Sequence, residues 1–75
     1  METIINILKE INPGIDVNRT DFIDGHILDS LAILSVIAEL EDTFDLIIPA
    51  VEITAENFNS VKSLYKMVER LSKEG

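Results

Sequence analysis

Cysteine and tryptophan are absent from the 75-residue chain, and histidine occurs once, at His26. Without cysteine there is no disulfide and no thiolate metal site, and a single imidazole cannot form a histidine cluster for zinc. Residues 16–27 begin like a calcium-binding loop. However, Asp21 stands where that loop needs glycine, and Ile27 stands where it needs a bidentate glutamate. We therefore predict no metal site.

A long apolar run is also missing. The longest one, residues 46–51, has six residues and contains Pro49, whereas a membrane-spanning helix needs about 20. The chain begins with Glu2 close to its start and has no basic region before an apolar stretch, so it does not have the pattern of a signal peptide. These features predict a cytoplasmic location.

Lysine and arginine are missing from the middle third of the chain. The whole sequence has 14 acids and 6 bases, and its net charge is −8. Residues 21–45 hold seven acids and no Lys or Arg, namely Asp21, Asp24, Asp29, Glu39, Glu41, Asp42 and Asp45. This argues against nucleic-acid binding, which needs basic groups, and favours partners with basic surfaces. The simpler alternative is that the acids keep a small protein soluble.

The hydrophobic content of 47% is ample for a core, and the length suits one domain, residues 1–75. Ile4, Ile5, Leu8 and Ile11 follow helical spacing and predict a helix from Glu2 to Ile11. Further helices are predicted over Ser30–Phe44, over Ala55–Phe58 with Thr54 as cap, and from Ser60 onward. The predicted buried stripe of the last helix is Val61, Leu64, Tyr65, Val68 and Leu71.

The expected fold is therefore all-α, a small bundle of three main helices plus a short extra helix. No sheet is expected, because Leu46–Ile48 is the only β-branched candidate and has no partner strand. A long first loop, residues 12–29, follows Pro13 and Gly14, which end the first helix. We expect apolar side chains to pin this loop to the core: Ile15, Val17, Phe22, Ile23, Ile27 and Leu28.

The second predicted helix carries more apolar surface than a core requires. At about 100° per residue, one arc faces the core: Ile33, Val36, Ile37, Leu40 and Phe44. A second arc mixes Leu31, Leu34 and Ala38 with Glu41 and Asp42. Either Leu31 and Leu34 pack beneath the first loop, or this second arc contacts a partner.

Ser30 lies at the start of this second arc. It lacks the features of a catalytic nucleophile, because His26 is the only histidine and no G-x-S-x-G turn surrounds the serine. Asp29 is the better N-cap, which places Ser30 at the first helical position. A phosphate-linked group attached there would lie near free backbone N–H groups at the positive end of the helix dipole.

The motif Asp29-Ser30-Leu31 and the later stretch ELEDTFDLIIP, from Glu39 to Pro49, resemble the phosphopantetheine-dependent acyl carrier proteins. The resemblance extends from end to end and implies a non-catalytic carrier. In that family the serine carries 4′-phosphopantetheine, which a phosphopantetheinyl transferase adds from coenzyme A. The match assigns this role to Ser30, with Asp29 as the motif residue at the helix start.

The segment VEITAENFNSV, residues 51–61, resembles the stand-alone D-alanyl carrier proteins, which a separate adenylating ligase loads. Ala32 and Ser35 are neutral where fatty-acid carriers commonly have acids. The resemblance also implies a monomer that docks an adenylating ligase or acyltransferase with a basic surface. Its docking face would comprise Leu31, Leu34, Ala38, Glu41 and Asp42. An unmodified helical adaptor that uses the same face is the alternative.

One departure from the family pattern lies just before the serine. Gly25 precedes Ser30 by five residues, farther than is usual in the family, and His26 and Ile27 follow it. The loop that leads to Ser30 is therefore expected to differ in shape.

Overall fold

A computed structural model describes residues 1–74 and contains four α-helices within that range. Their bounds agree with the sequence predictions. A short 3₁₀ helix over Ala50–Glu52 was not predicted. The α-helices are α1 (Glu2–Ile11), α2 (Ser30–Phe44), α3 (Ala55–Phe58) and α4 (Val61–Glu74). No strand occurs in the described residues, so the all-α prediction is confirmed.

Short polar side chains fix where three of the helices begin. The Asp29 carboxylate accepts a hydrogen bond from the Ala32 N–H at 2.8 Å. Thr54 and Ser60 do the same for N–H groups three residues later, at 3.2 and 3.0 Å. Each cap satisfies a backbone donor that has no partner inside the helix. The helix starts were predictable because these caps are local in sequence.

The core is built from all four helices and the first loop. α1 packs on α2 and α4, and α3 packs on α4. The largest side chains that are almost completely buried are Ile4, Leu8, Phe22, Val36, Leu40, Phe58, Leu64 and Met67. Because small domains bury a limited fraction of their surface, each of these side chains matters to stability. None of the helices described over residues 1–74 is long and apolar enough to cross a bilayer.

The buried face of α4 includes different residues from the predicted one and is rotated about the helix axis. Tyr65 is 38% exposed, and its hydroxyl donates to a carboxylate oxygen of Glu69 at 3.3 Å. Met67, which was not predicted, is buried instead. At about 100° per residue, Met67 extends the arc of Leu64 and Leu71, whereas Tyr65 lies on its far edge. The prediction for Tyr65 was wrong because an apolar pattern gives a stripe but not its width.

The first loop is pinned to the core as expected. Ile15, Phe22 and Leu28 are buried, and Phe22 is completely inaccessible. Val17, Ile23 and Ile27 are partly buried and pack against the same core. Complete burial of an aromatic side chain contributes about 1.5–3 kcal/mol. Phe22 therefore attaches the middle of the first loop, which has no regular secondary structure, to the core.

Candidate functional site

Ser30 is the first residue of α2 and is exposed. Asp29 precedes it in an extended conformation, φ −85° and ψ −179°, as an N-cap residue does. Within residues 1–74, the N–H groups of Ser30 and Leu31 have no hydrogen-bond acceptor. Both N–H groups lie at the positive end of the helix dipole. A phosphate bonded to the serine oxygen would find two hydrogen-bond donors and a favourable field there.

The loop before Ser30 is closed by hydrogen bonds at Phe22. The Phe22 carbonyl accepts from the N–H groups of Ile27 and Leu28, both at 2.9 Å. The Asn12 side chain donates to the Ile27 carbonyl at 3.5 Å. The segment that leads to Ser30 is thus fixed both by the buried side chain of Phe22 and by hydrogen bonds to its backbone.

His26 adopts a left-handed conformation with φ 57°. Such values are uncommon for residues with a Cβ, although histidine tolerates them better than most. The backbone at this point suits glycine, yet the neighbouring Gly25 has no positive φ. The glycine at position 25 is required for another reason, because a Cβ there would lie 2.8 Å from the Asp21 carbonyl oxygen.

The two leucines after Ser30 point to solvent. Leu31 is 76% exposed and Leu34 is 62% exposed, so the alternative in which they pack beneath the first loop is wrong. Ala38 is exposed one turn further along. In contrast, Val36 and Leu40 on the other side of α2 are buried. The second apolar arc of α2 is thus available to a partner.

The two acids of the docking face differ in their surroundings. Asp42 is exposed, whereas Glu41 is half-buried. A Glu41 carboxylate oxygen accepts a hydrogen bond from the Ile48 N–H at 2.9 Å. The Glu41 backbone carbonyl also accepts from Leu46 at 3.2 Å. Glu41 therefore holds the segment after α2 in place, a structural role that its helical position alone did not reveal.

Beyond α2, two large apolar residues are more exposed than the rest. Ile47 and Val51 are 80% and 81% exposed. Sequence reasoning missed them as surface residues, because residues 46–51 were considered only as a membrane span and Leu46–Ile48 as a strand. The signal in the sequence was that the apolar run of residues 46–51 lies outside the predicted helices.

Open grooves adjoin both ends of α2. One of about 330 Å³ lies between the end of α1 and the start of α2, beside Ser30, and Asp29, Leu31 and Ser35 contribute to its wall. Another, of about 560 Å³, lies at the opposite end of α2, about 20 Å from Ser30. Phe44, Leu46 and Leu71 contribute to this second groove.

The structure is a small helical domain with an exposed serine at the start of α2. The sequence profile of the phosphopantetheine attachment site matches residues 2–68. The chain therefore belongs to the phosphopantetheine-dependent carrier proteins, and it carries an acyl or aminoacyl group on covalently bound 4′-phosphopantetheine. Membership of this family implies a non-catalytic carrier, and carrier proteins in general interact with a phosphopantetheinyl transferase and with loading enzymes. An unmodified adaptor is not favoured by this match.

Several relatives are carriers of amino acids. A D-alanyl carrier protein of Streptococcus suis is 31% identical over 72 residues, covering 93% of this chain and 91% of the relative. Aminoacyl carrier protein 2 of Bradyrhizobium diazoefficiens is 44% identical over 68 residues, covering 91% and 76%. A D-alanyl carrier protein of Streptococcus pyogenes is 37% identical over 75 residues, covering 93% and 91%. No solved structure matches the chain significantly.

Proposed function

We propose that the Ser30 hydroxyl oxygen is the attachment point of phosphopantetheine. In this reaction Ser30 Oγ bonds to the phosphorus that carries the pantetheine group of coenzyme A. The pyrophosphate bond breaks, adenosine 3′,5′-bisphosphate leaves, and the hydroxyl proton is released. A phosphopantetheinyl transferase catalyses the step. The observation that carries the proposal is the exposed Ser30 at the first position of α2, where the N–H groups of Ser30 and Leu31 have no acceptor among residues 1–74.

Ser35 offers a comparison within the same helix. It is also exposed, but it lies inside α2, where backbone N–H groups are used by the helix itself. A phosphate at Ser35 would gain no backbone donor and little from the dipole, which acts within the first turn. Ser30 is therefore the serine of α2 that suits a phosphodiester.

The docking face is the second part of the proposal. Leu31, Leu34 and Ala38 supply exposed apolar area, and Asp42 supplies an exposed carboxylate. Glu41 contributes negative charge although its carboxylate also holds the Ile48 N–H. A partner suited to this face has an apolar groove with a basic rim. Contacts of this kind are weak and salt-sensitive, as a carrier that must release each partner requires.

We further propose that the cargo is D-alanine or another amino acid, loaded by an adenylating ligase in the cytoplasm. The names of the relatives support an aminoacyl cargo. The neutral residues Ala32 and Ser35 support it too, because they reduce the charge available to fatty-acid enzymes. We expect the carrier to act as a monomer, since its exposed apolar arc must be free for successive enzymes.

Mass spectrometry after incubation with coenzyme A and a broad-specificity transferase tests the attachment site. The wild-type chain should gain the mass of one phosphopantetheine, and Ser30→Ala should gain none. Ser35→Ala is the matched control and should be modified like the wild type. A wild-type chain that gains no mass, or a Ser30→Ala variant that gains it equally, would refute the proposal. Loading of the modified chain by candidate ligases with D-alanine, other amino acids or fatty acids then identifies the cargo.

A further inference from the structure

Asn59, between α3 and α4, bonds to the first loop across a long stretch of sequence. Its Oδ1 accepts hydrogen bonds from the N–H groups of Ile23, at 2.9 Å, and Asp24, at 3.2 Å. Its Nδ2 donates to Asp24 Oδ2 at 2.9 Å. Its backbone carbonyl accepts from the Phe22 N–H at 3.0 Å. One half-buried asparagine thus holds three consecutive loop residues that are 35 to 37 positions away.

The orientation of the Asn59 amide follows from these partners. Two N–H donors face one of its ends, and a carboxylate faces the other. If the amide were flipped, its NH₂ group would face the two N–H donors and its oxygen would face the carboxylate, so neither contact would be a hydrogen bond. Asparagine matches this arrangement because it offers an acceptor and a donor side by side.

The loop passes this restraint on to Ser30. The Phe22 carbonyl accepts from the N–H groups of Ile27 and Leu28. Leu28 is buried and is followed by Asp29, whose carboxylate caps α2. The Asn59 side chain therefore fixes Ile23 and Asp24 next to Phe22, and Phe22 is hydrogen-bonded to Leu28, which directly precedes the cap residue Asp29.

We infer that Asn59 is a positioning residue for the modification of Ser30. It acts through the first loop, whose fixed shape presents the serine hydroxyl to the transferase. Phosphoryl transfer needs the attacking oxygen about 3–3.5 Å from the phosphorus and in line with the leaving group. If the loop is open in some of the molecules, the fraction of the carrier that can react falls. The apparent kcat/KM for transfer then falls by the same factor. The inference rests on the proposed attachment at Ser30.

Asn57 provides a matched control two residues earlier, on α3. It is half-buried like Asn59, and its Nδ2 donates to the Glu52 carbonyl oxygen at 2.8 Å and to Glu52 Oε1 at 3.0 Å. Within residues 1–74, none of its hydrogen bonds goes to the first loop. Asn57→Ala therefore removes side-chain hydrogen bonds of the domain without releasing the loop.

The test compares kcat and KM for transfer of phosphopantetheine from coenzyme A to each variant, at a temperature where thermal melting shows it to be folded. For Asn59→Ala we expect kcat/KM to fall roughly fivefold or more, because the lost hydrogen bonds allow the loop to open. The fall should come mainly from a higher KM for the carrier, since the bound transferase can reorder the loop. For Asn57→Ala the value should stay within about twofold of the wild type.

An exchange of Asn59 and Asp24 provides a rescue. In Asn59→Asp two carboxylates oppose each other, so the loop should open and transfer should slow. The double variant Asp24→Asn with Asn59→Asp restores an amide opposite a carboxylate and keeps an acceptor for both N–H groups. Its transfer rate should return to within about twofold of the wild type. If Asn59→Ala fails to fold, the comparison of Asn59→Asp with the double variant still tests the inference.

Amide hydrogen exchange separates loop opening from general destabilisation. In Asn59→Ala, the N–H groups of Ile23, Asp24, Ile27 and Leu28 should exchange faster while those of α2 keep their protection. The inference would be overturned by equal transfer rates for Asn59→Ala and Asn57→Ala, or by a double variant as slow as Asn59→Asp. Neither result would affect the proposed attachment at Ser30. A wild-type chain that is not modified would refute the attachment proposal as well.

Discussion

Gly25 is the smallest residue of the loop that leads to Ser30, and the structure leaves no room for a larger one. A Cβ at this position would lie 2.8 Å from the Asp21 carbonyl oxygen and 2.5 Å from Asp21 Oδ2. The Gly25 N–H also donates to the same carbonyl at 2.6 Å. Because the obstructing atom belongs to the backbone, a side chain at position 25 must displace the loop.

We expect Gly25→Ala to destabilise the domain by about 1–3 kcal/mol, the usual range for added methyl groups in tight places. Gly14→Ala is the control, since nothing lies within 4 Å of a Cβ at Gly14 and its φ is not positive. That change should be neutral or stabilising by up to about 1 kcal/mol. Urea unfolding of both variants measures the difference, and equal midpoints would contradict the steric explanation.

The acids in the C-terminal half of α2 oppose the helix dipole. The helix has no acid in its first turn and no base in its last, whereas Glu39, Glu41 and Asp42 all lie towards its C-terminal end. Negative charge at a helix C-terminus is unfavourable. A local rule that is broken in this way is expected where function requires it, and the docking face includes two of these acids.

We predict that Asp42→Lys stabilises the domain by about 0.3–1 kcal/mol, because it replaces an unfavourable charge by a favourable one. The same variant should raise the KM of the loading ligase for the carrier, because the docking face loses an acid. Glu2→Lys is the control with the same change in net charge. It removes an acid from the first turn of α1 and should lower stability. If Asp42→Lys left ligase kinetics unchanged, Asp42 would not belong to the docking face.

The 3₁₀ helix is joined to α4 by a bidentate ion pair. Arg70 donates to the two Glu52 carboxylate oxygens at 2.9 and 2.6 Å, and Asn57 Nδ2 donates to the same carboxylate. The hydrogen bond from Arg70 is the main cause that holds the pKa of Glu52 below its ordinary value of 4.5, while partial burial opposes it. The ionised form of Glu52 is therefore favoured in the folded chain.

We predict that this ion pair stabilises the domain above pH 4.5 and that its contribution is lost as the pH falls through the lowered pKa of Glu52. Glu52→Gln should be less stable than the wild type at neutral pH, and the difference should narrow in acid. Glu56→Gln is the control, since Glu56 makes no ion pair within residues 1–74. Chemical unfolding across a pH series measures the effect. A constant difference between Glu52→Gln and wild type would contradict it.

The molecule as a whole separates its charges. Residues 21–45 have seven acids and no Lys or Arg, whereas four of the six bases lie on α4: Lys62, Lys66, Arg70 and Lys73. These four share the side of α4 opposite its buried stripe, by helical spacing. Asp21 forms an ion pair with Arg19, but none of the other six acids is in an ion pair within residues 1–74, and their mutual repulsion opposes folding.

We predict that added salt or divalent cations raise the melting temperature, because they screen this repulsion. The double variant Glu39→Gln with Asp42→Asn should show a weaker dependence on salt than the wild type. A melting temperature that stays constant across a salt series in the wild type would contradict the prediction. The ligase KM should rise over the same series, because screening also weakens docking.

The sequence by itself determined the helices and the position of Ser30. The caps Asp29, Thr54 and Ser60 each bind the N–H group three residues along the chain, and Pro13 follows the end of α1. Interactions over such short separations depend little on the rest of the fold. The charge distribution and the motif around Ser30 were equally visible in the sequence.

Only the tertiary structure decided which apolar residues the core accepts and which contacts shape the first loop. It left Leu31 and Leu34 in solvent, buried Met67 rather than Tyr65, and engaged Glu41 with Ile48. It also brought Asn59 to Ile23, 36 residues away. Periodicity ranks the faces of a helix, but the packing of neighbouring elements sets how much of each face is covered, and no local pattern encodes contacts at such separations.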